Sequence, residues 1–176
     1  AGRTGGRGRA RRSFDAQNPA LKARPGKYRA PWWLPGGHLQ TIFAALAPAP
    51  EISYRRERWE TPDGDFVDLD WAGETGNESA RRNRPVLALF HGLEGSSASP
   101  YARAIAAQAL TLGWRCVVPH FRGCSGELNR LPRAYHSGDS EEIGWILKAL
   151  CGRTEILHGC GISLGGNTLL KYLGEQ

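Results

Sequence analysis

Residues 155–175 read EILHGCGISLGGNTLLKYLGE, and the interpretation of this stretch decides the fold. The run at 155–160 is short and apolar, which suits a buried strand, and residues 164–173 carry strong helix formers. Between them lies Gly161-Ile162-Ser163-Leu164-Gly165, a G-x-S-x-G sequence. Strand, turn and helix in that order are the setting of a nucleophile elbow. The turn is so tight that side chains on either side of the serine collide, so Gly161 and Gly165 stand where only minimal bulk fits. Ser163 is thereby expected to be exposed at the carboxyl end of a sheet. The N-terminus of the next helix points at it, and that dipole favours a developing oxyanion. The plain alternative is a Gly/Ser loop of no chemical consequence.

Working outward, the same strand–loop–helix rhythm recurs twice. Residues 85–90 (PVLALF) form an apolar run without alternation, as expected of a strand covered on both faces of a parallel sheet. A loop from 91 to 99 leads into a helical pattern at 100–112 that stops at Gly113. Residues 114–119 (WRCVVP) make another buried strand, and after a long loop Asp139 or Ser140 can cap a helix running to Leu150, with Glu141 and Glu142 in its first turn. Ahead of these units, residues 52–60, the turn Thr61-Pro62-Asp63-Gly64 and residues 66–71 read as a β-hairpin. Residues 72–84 read as a polar loop. A hairpin followed by three β-α units predicts an α/β fold: a mixed, mostly parallel sheet with helices on both faces.

The loop His91-Gly92-Leu93-Glu94-Gly95-Ser96 completes the candidate site. Where such an elbow works, one oxyanion donor is the backbone N–H after the nucleophile, here Leu164. The other comes from a loop after an earlier strand, here Leu93, and Gly92 and Gly95 let that backbone approach a substrate carbonyl. His91 is a tempting base, but a histidine opening this loop more often braces it by hydrogen bonds. All five histidines precede the elbow, so none is expected within reach of Ser163. His38, His120, His136 and His158 lack metal-ligand spacing, and there is no phosphate-cradling glycine motif, so neither metal nor cofactor is expected. Ser125, in Arg122-Gly123-Cys124-Ser125-Gly126, lies outside any elbow.

Charge is divided unevenly along the 176 residues. Residues 1–30 hold nine Lys or Arg against Asp15, while the remaining 146 hold 14 basic and 16 acidic groups. Residues 1–29 therefore read as a basic, disordered tail and 30–176 as part of one domain. Such a tail has the charge to touch phosphates or an anionic membrane surface; a solvated extension is the plainer reading, and no nucleic-acid partner is expected. Four cysteines without a pairing pattern, no apolar run of spanning length and no signal-peptide pattern point to a cytoplasmic protein with reduced thiols.

Four ordered stretches, PWWLPGGHLQT, HGLEGSSASPYA, VVPHFRGCSGELNRLPRAYHSGD and GISLGGNTLLKYLGE, resemble the successive signatures of the YheT-like α/β-hydrolases. The resemblance spans residues 31–176. It implies Ser163 as nucleophile and hydrolysis of carboxylic esters with short or medium acyl chains, with acyl transfer to alcohols as a related outcome. Other readings of the elbow are a thioesterase and a non-catalytic binding protein on the same fold. In this fold the acid and the histidine follow the serine along the chain. Only Glu175, and no histidine, follows Ser163 here, so the chain reads as the N-terminal part of a longer enzyme and is expected to be inactive alone. The substrate expected for the whole enzyme is a small ester or lipid-like molecule, with peripheral membrane contact an open option.

Overall fold

The computed structural model describes residues 29–46 and 48–176. Apart from Arg29, the basic lead-in lies outside the described residues. The chain divides into two units, Ala1–Ile42 and Phe43–Gln176. In the first, Leu34 N–H closes a turn onto Pro31 O (2.9 Å) ahead of helix α1, Gly37–Leu46, whose last turn belongs to the second unit.

The second unit holds a five-stranded sheet. The hairpin β1 (Arg55–Glu60) and β2 (Phe66–Ala72) turns through Thr61–Gly64, where Gly64 at φ 84° supplies the left-handed residue that the tight return needs. After β2 comes a short helix α2 (Glu78–Arg82), then β3 (Val86–Phe90), α3 (Pro100–Thr111), β4 (Arg115–Pro119), α4 (Ser140–Cys151), β5 (Leu157–Gly161) and α5 (Leu164–Gly174). The strand order is β1-β2-β4-β3-β5; β1, β2 and β4 pair antiparallel, and β3 runs parallel to both β4 and β5. This is the mixed sheet expected from the sequence.

Strand periodicity sorts the core into two layers, because successive side chains point to opposite faces. Val86, Ala88, Phe90 and Val117 pack with Ile143, Ile146, Leu147 and Leu150 of α4 and Leu169 of α5. Leu89, Cys116 and Val118 pack with Ala102, Ala106 and Ala109 of α3 on the other face. The alanine stripe lets α3 lie close to the sheet. Burial pushes the Cys116 thiol up to about 12, which makes it inert at neutral pH. Cys151, by contrast, is exposed. Among the described residues β5 pairs with β3 alone, and its residues are half-buried or exposed.

The hairpin departs from its sequence pattern. Acidic and apolar residues alternate along β2, yet all seven of its residues are buried. Two partners make this tolerable: Arg58 forks onto Asp68 (2.8 and 2.8 Å), and Arg56 onto Asp70 (2.7 and 2.8 Å). Asp70 also accepts from Ser97 Oγ (2.5 Å) and His120 Nε2 (2.8 Å). Burial opposes ionisation of Asp70, but the bonds from Arg56, His120 and Ser97 together hold its carboxyl well below the usual range. A second charge cluster fixes the long loop between β4 and α4. Arg122 donates to Glu142 (2.6 Å), Asp63 (2.9 Å) and Asp65 (3.0 Å), while Asn129 donates to Asp65 (2.9 Å) and Phe66 O (2.7 Å).

Two local expectations are corrected. Residues 72–84 are not only a loop: Asn77 Oδ1 accepts Ala80 N–H (2.9 Å) and caps α2, with Glu78 in its first turn and Arg81 and Arg82 in its last. Asp139 stands at the N-cap of α4 but its side chain does not cap, because Arg133 takes its carboxylate at 2.9 and 3.1 Å.

Candidate active site

Ser163 sits two residues past the end of β5 and directly before α5, exposed, at φ 52° and ψ −113°. A non-glycine residue at positive φ is strained, and such strain persists only where the surroundings enforce it. The enforcement is visible in the two glycines. A Cβ on Gly161 would stand 2.6 Å from Gly165 O and from Gly166 N and Cα. A Cβ on Gly165 would overlap Phe90 O and stand 2.5 Å from His91 O. The start of α5 is thus pressed against the end of β3, and Ile162 N–H donates to Phe90 O (3.0 Å) to close the contact. Ser163 is the N-cap of α5, but its hydroxyl makes no capping bond. Neither Leu164 N–H, the first of the helix, nor Leu93 N–H donates to another described residue.

The loop after β3 lies beside the elbow: a Cβ on Gly92 would be 3.5 Å from both Ser163 Cβ and Ile162 O. Leu93, 69% exposed, follows at once, so the structure brings the sequence's three candidates, Ser163, Leu164 and Leu93, onto two abutting loops at the carboxyl ends of neighbouring strands.

His91 braces this loop. Its Nε2 accepts the N–H of Phe121 (3.1 Å), so Nδ1 carries the proton and donates to Gly92 O (2.7 Å). Burial pushes its pKa down to about 4, so the ring is neutral near pH 7 with both nitrogens engaged. His120 faces Asp70 and Cys124 O, and His158 stacks on Trp114 at 4.5 Å. Among the described residues no imidazole hydrogen-bonds to Ser163 Oγ.

Three features of the site escaped sequence reasoning. Glu94 adopts φ 51° in the loop, and its N–H donates to Tyr135 Oη (3.0 Å), while Gly92 N–H donates to Tyr101 Oη (3.0 Å). Tyr101 had a local signal, since a helix opening at Pro100 puts its second residue beside the loop it follows. Tyr135, 41 residues from Glu94 along the chain, had none. Among the described residues no cluster of His, Cys, Asp or Glu could hold a metal ion, and no helix is long and apolar enough to cross a membrane.

The profile of the alpha/beta hydrolase fold family matches residues 85–176, which hold β3 to α5 with both site loops. The chain belongs to the α/β-hydrolase family. Within it, the chain is 44% identical to Escherichia coli YheT over 144 residues, 79% of the chain and 41% of that protein. It is 32% identical to human Phospholipase ABHD3, over 81% of the chain and 36% of that protein. Against Saccharomyces cerevisiae Monoacylglycerol lipase the identity is 31% over 53% of the chain. The chain spans about two-fifths or less of the length of these relatives. Among solved structures, an alpha-beta serine hydrolase homologue from Coxiella burnetii superposes with a TM-score of 0.55 at 16% identity, over 73% of this chain and 61% of that one. The Pyrococcus furiosus esterase Pf2001 gives 0.52 at 19%, over 70% and 47%. At such identities the structures speak to the fold alone.

Proposed function

We propose that this chain carries the nucleophile and oxyanion hole of a serine hydrolase that cleaves carboxylic esters of acyl lipids or similar small molecules with short to medium acyl chains. The observation that carries the reading is Ser163, exposed at φ 52° between β5 and α5 with its hydroxyl uncommitted. Two relatives named for lipid-ester cleavage, Phospholipase ABHD3 and Monoacylglycerol lipase, support the substrate class.

The reaction runs in two steps. A histidine outside the described residues, oriented by an aspartate, takes the Ser163 hydroxyl proton as Oγ attacks the ester carbonyl. The carbonyl oxygen becomes an oxyanion that accepts from the N–H groups of Leu93 and Leu164. The acyl C–O bond breaks, the alcohol leaves with the proton from the histidine, and the acyl group stays on Oγ. Water, deprotonated by the same histidine, then attacks the acyl carbon, releasing the carboxylic acid and restoring Ser163. Pre-formed N–H donors supply the largest share of such catalysis, and one donor is worth about 100- to 1,000-fold in rate. His91 cannot be the base, since both of its nitrogens are spent on the backbone.

The test is hydrolysis of p-nitrophenyl butyrate by the longer protein. Turnover should vanish in Ser163→Ala, and a fluorophosphonate should label the parent at Ser163 only. Turnover that survives the substitution would refute the nucleophile.

A further inference from the structure

The loop after β3 presents four successive backbone N–H groups, those of Gly92, Leu93, Glu94 and Gly95, and three of them are occupied. Gly92 N–H donates to Tyr101 Oη (3.0 Å), Glu94 N–H to Tyr135 Oη (3.0 Å), and Gly95 N–H to Gly92 O (3.0 Å). Leu93 N–H alone has no described acceptor. Its direction is set by the rest. In a trans peptide the C=O and N–H point opposite ways. Gly92 O is held by both Gly95 N–H and His91 Nδ1–H (2.7 Å), so the Leu93 N–H on the same peptide is turned away from them. The peptides before and after are each fixed by a tyrosine hydroxyl.

We infer that Tyr101 and Tyr135 are positioning residues for the oxyanion hole, fixing the Leu93 N–H by occupying the N–H group on each side of it. The inference rests on the reading of Ser163 as nucleophile. Both hydroxyls arrive on rigid supports. Tyr101 is in the first turn of α3. Tyr135 stacks on Phe121 at 5.2 Å, Phe121 packs edge-on against His91 at 4.8 Å, and the loop bearing Tyr135 is tied down by Arg122 and Asn129. Glu94 makes the Tyr135 bond consequential. Its left-handed backbone is unfavourable for a side-chain-bearing residue, and without an acceptor for its N–H it is free to relax and carry the neighbouring peptide with it. Gly95 completes the arrangement, since a Cβ there would overlap Tyr101 Oη and crowd Gly92 O at 3.1 Å.

The experiment uses the longer enzyme with Tyr101→Phe, Tyr135→Phe and the double substitution, which keep both rings and their packing. Each single variant should lose about tenfold in kcat and the double about a hundredfold, the lower end of what removing an oxyanion donor costs. KM should stay within about twofold. Affinity for a trifluoromethyl ketone, which forms a charged tetrahedral adduct on the serine, should fall by the same factors as kcat. Replacing Tyr135 with 3,5-difluorotyrosine, read at a pH low enough that the more acidic phenol keeps its proton, retains the shape but weakens the oxygen as an acceptor and should give an intermediate loss. An unchanged kcat, or a kcat loss with unchanged ketone affinity, would overturn the inference while leaving Ser163 in place. Hydrolysis that survives Ser163→Ala would instead overturn the proposed function, and the inference with it.

Discussion

The elbow and the hairpin sit at different places along one sheet and are held by opposite means. At the elbow the restraint is shape: Gly161 and Gly165 let α5 touch the end of β3, and backbone atoms meet where any Cβ would collide. At the hairpin the restraint is charge: Asp65, Asp68 and Asp70 are buried against Arg122, Arg58, Arg56 and His120. Shape is a local property and travels with a five-residue motif. Charge pairing joins residues far apart, such as Asp70 with His120, 50 positions on, and Asp65 with Arg122, 57 on. The elbow should therefore respond to added bulk and the hairpin to lost or neutralised charge.

The largest expected effect is at the hairpin. Asp70→Ala strips the shared acceptor from His120 and Ser97, both buried, and from Arg56. Removing one member of a buried charged network costs about 4 kcal/mol. Urea unfolding measures it, and a loss below about 1 kcal/mol would mean that water already reaches Asp70.

Next comes Gly165→Ala, expected to cost about 3 kcal/mol, because the new methyl can be housed only by moving β3 or α5. A variant as stable as the parent would show that the elbow yields, and the contrast with the hairpin would collapse.

Acid separates the regions by pH. His91 beside the elbow has a folded value of about 4 against about 6.5 for a free imidazole, depressed by burial. A depressed histidine stabilises the fold fully above the unfolded value, and this contribution declines from about pH 6.5 until both states are protonated near pH 4, a loss of about 3 kcal/mol. Asp70 is also depressed, so its contribution is present above the ordinary carboxylate value of about 3.9 and is lost only at lower pH. His91→Gln, whose amide can both donate to Gly92 O and accept from Phe121 N–H, should flatten the upper part of the stability–pH curve and leave the lower part. A slope unchanged in His91→Gln would assign that window to another group.

The smallest effect sharpens the picture of the charge web. Glu60 and Arg130 form an ion pair at its rim with both side chains substantially exposed. Solvent screens such a pair, so Glu60→Gln should leave the unfolding midpoint nearly unchanged. A large drop would show that the rim, and not only the buried half, holds the hairpin.

Local signals carried much of the fold. The apolar runs at 85–90 and 114–119 announced β3 and β4, and Thr61-Pro62-Asp63-Gly64 announced the hairpin turn, because strand burial and turn chemistry are written in neighbouring residues. The alternation along β2 was legible, but its burial was not. A row of aspartates reads as a wet face unless their arginines are known to be near, and sequence carries no such distance. Asp139 failed as a cap for the same reason, since Arg133 competes for it.

By itself, then, the sequence determined the strand–turn–helix around Ser163 and the need for glycine at 161 and 165, because steric exclusion acts between atoms a few bonds apart. It also determined that His91 opens a glycine loop directly after a strand. Only the tertiary structure decided that this loop lies against the elbow, that His91 spends both nitrogens on backbone, and that Tyr101 and Tyr135 leave Leu93 N–H the one unclaimed donor among residues 92–95. Those outcomes depend on where β3 and β5 pair and on how the loop after β4 is tied to the hairpin by Arg122 and Asn129. A hydrogen bond is decided by tenths of an ångström between groups that the chain brings together only once it has folded.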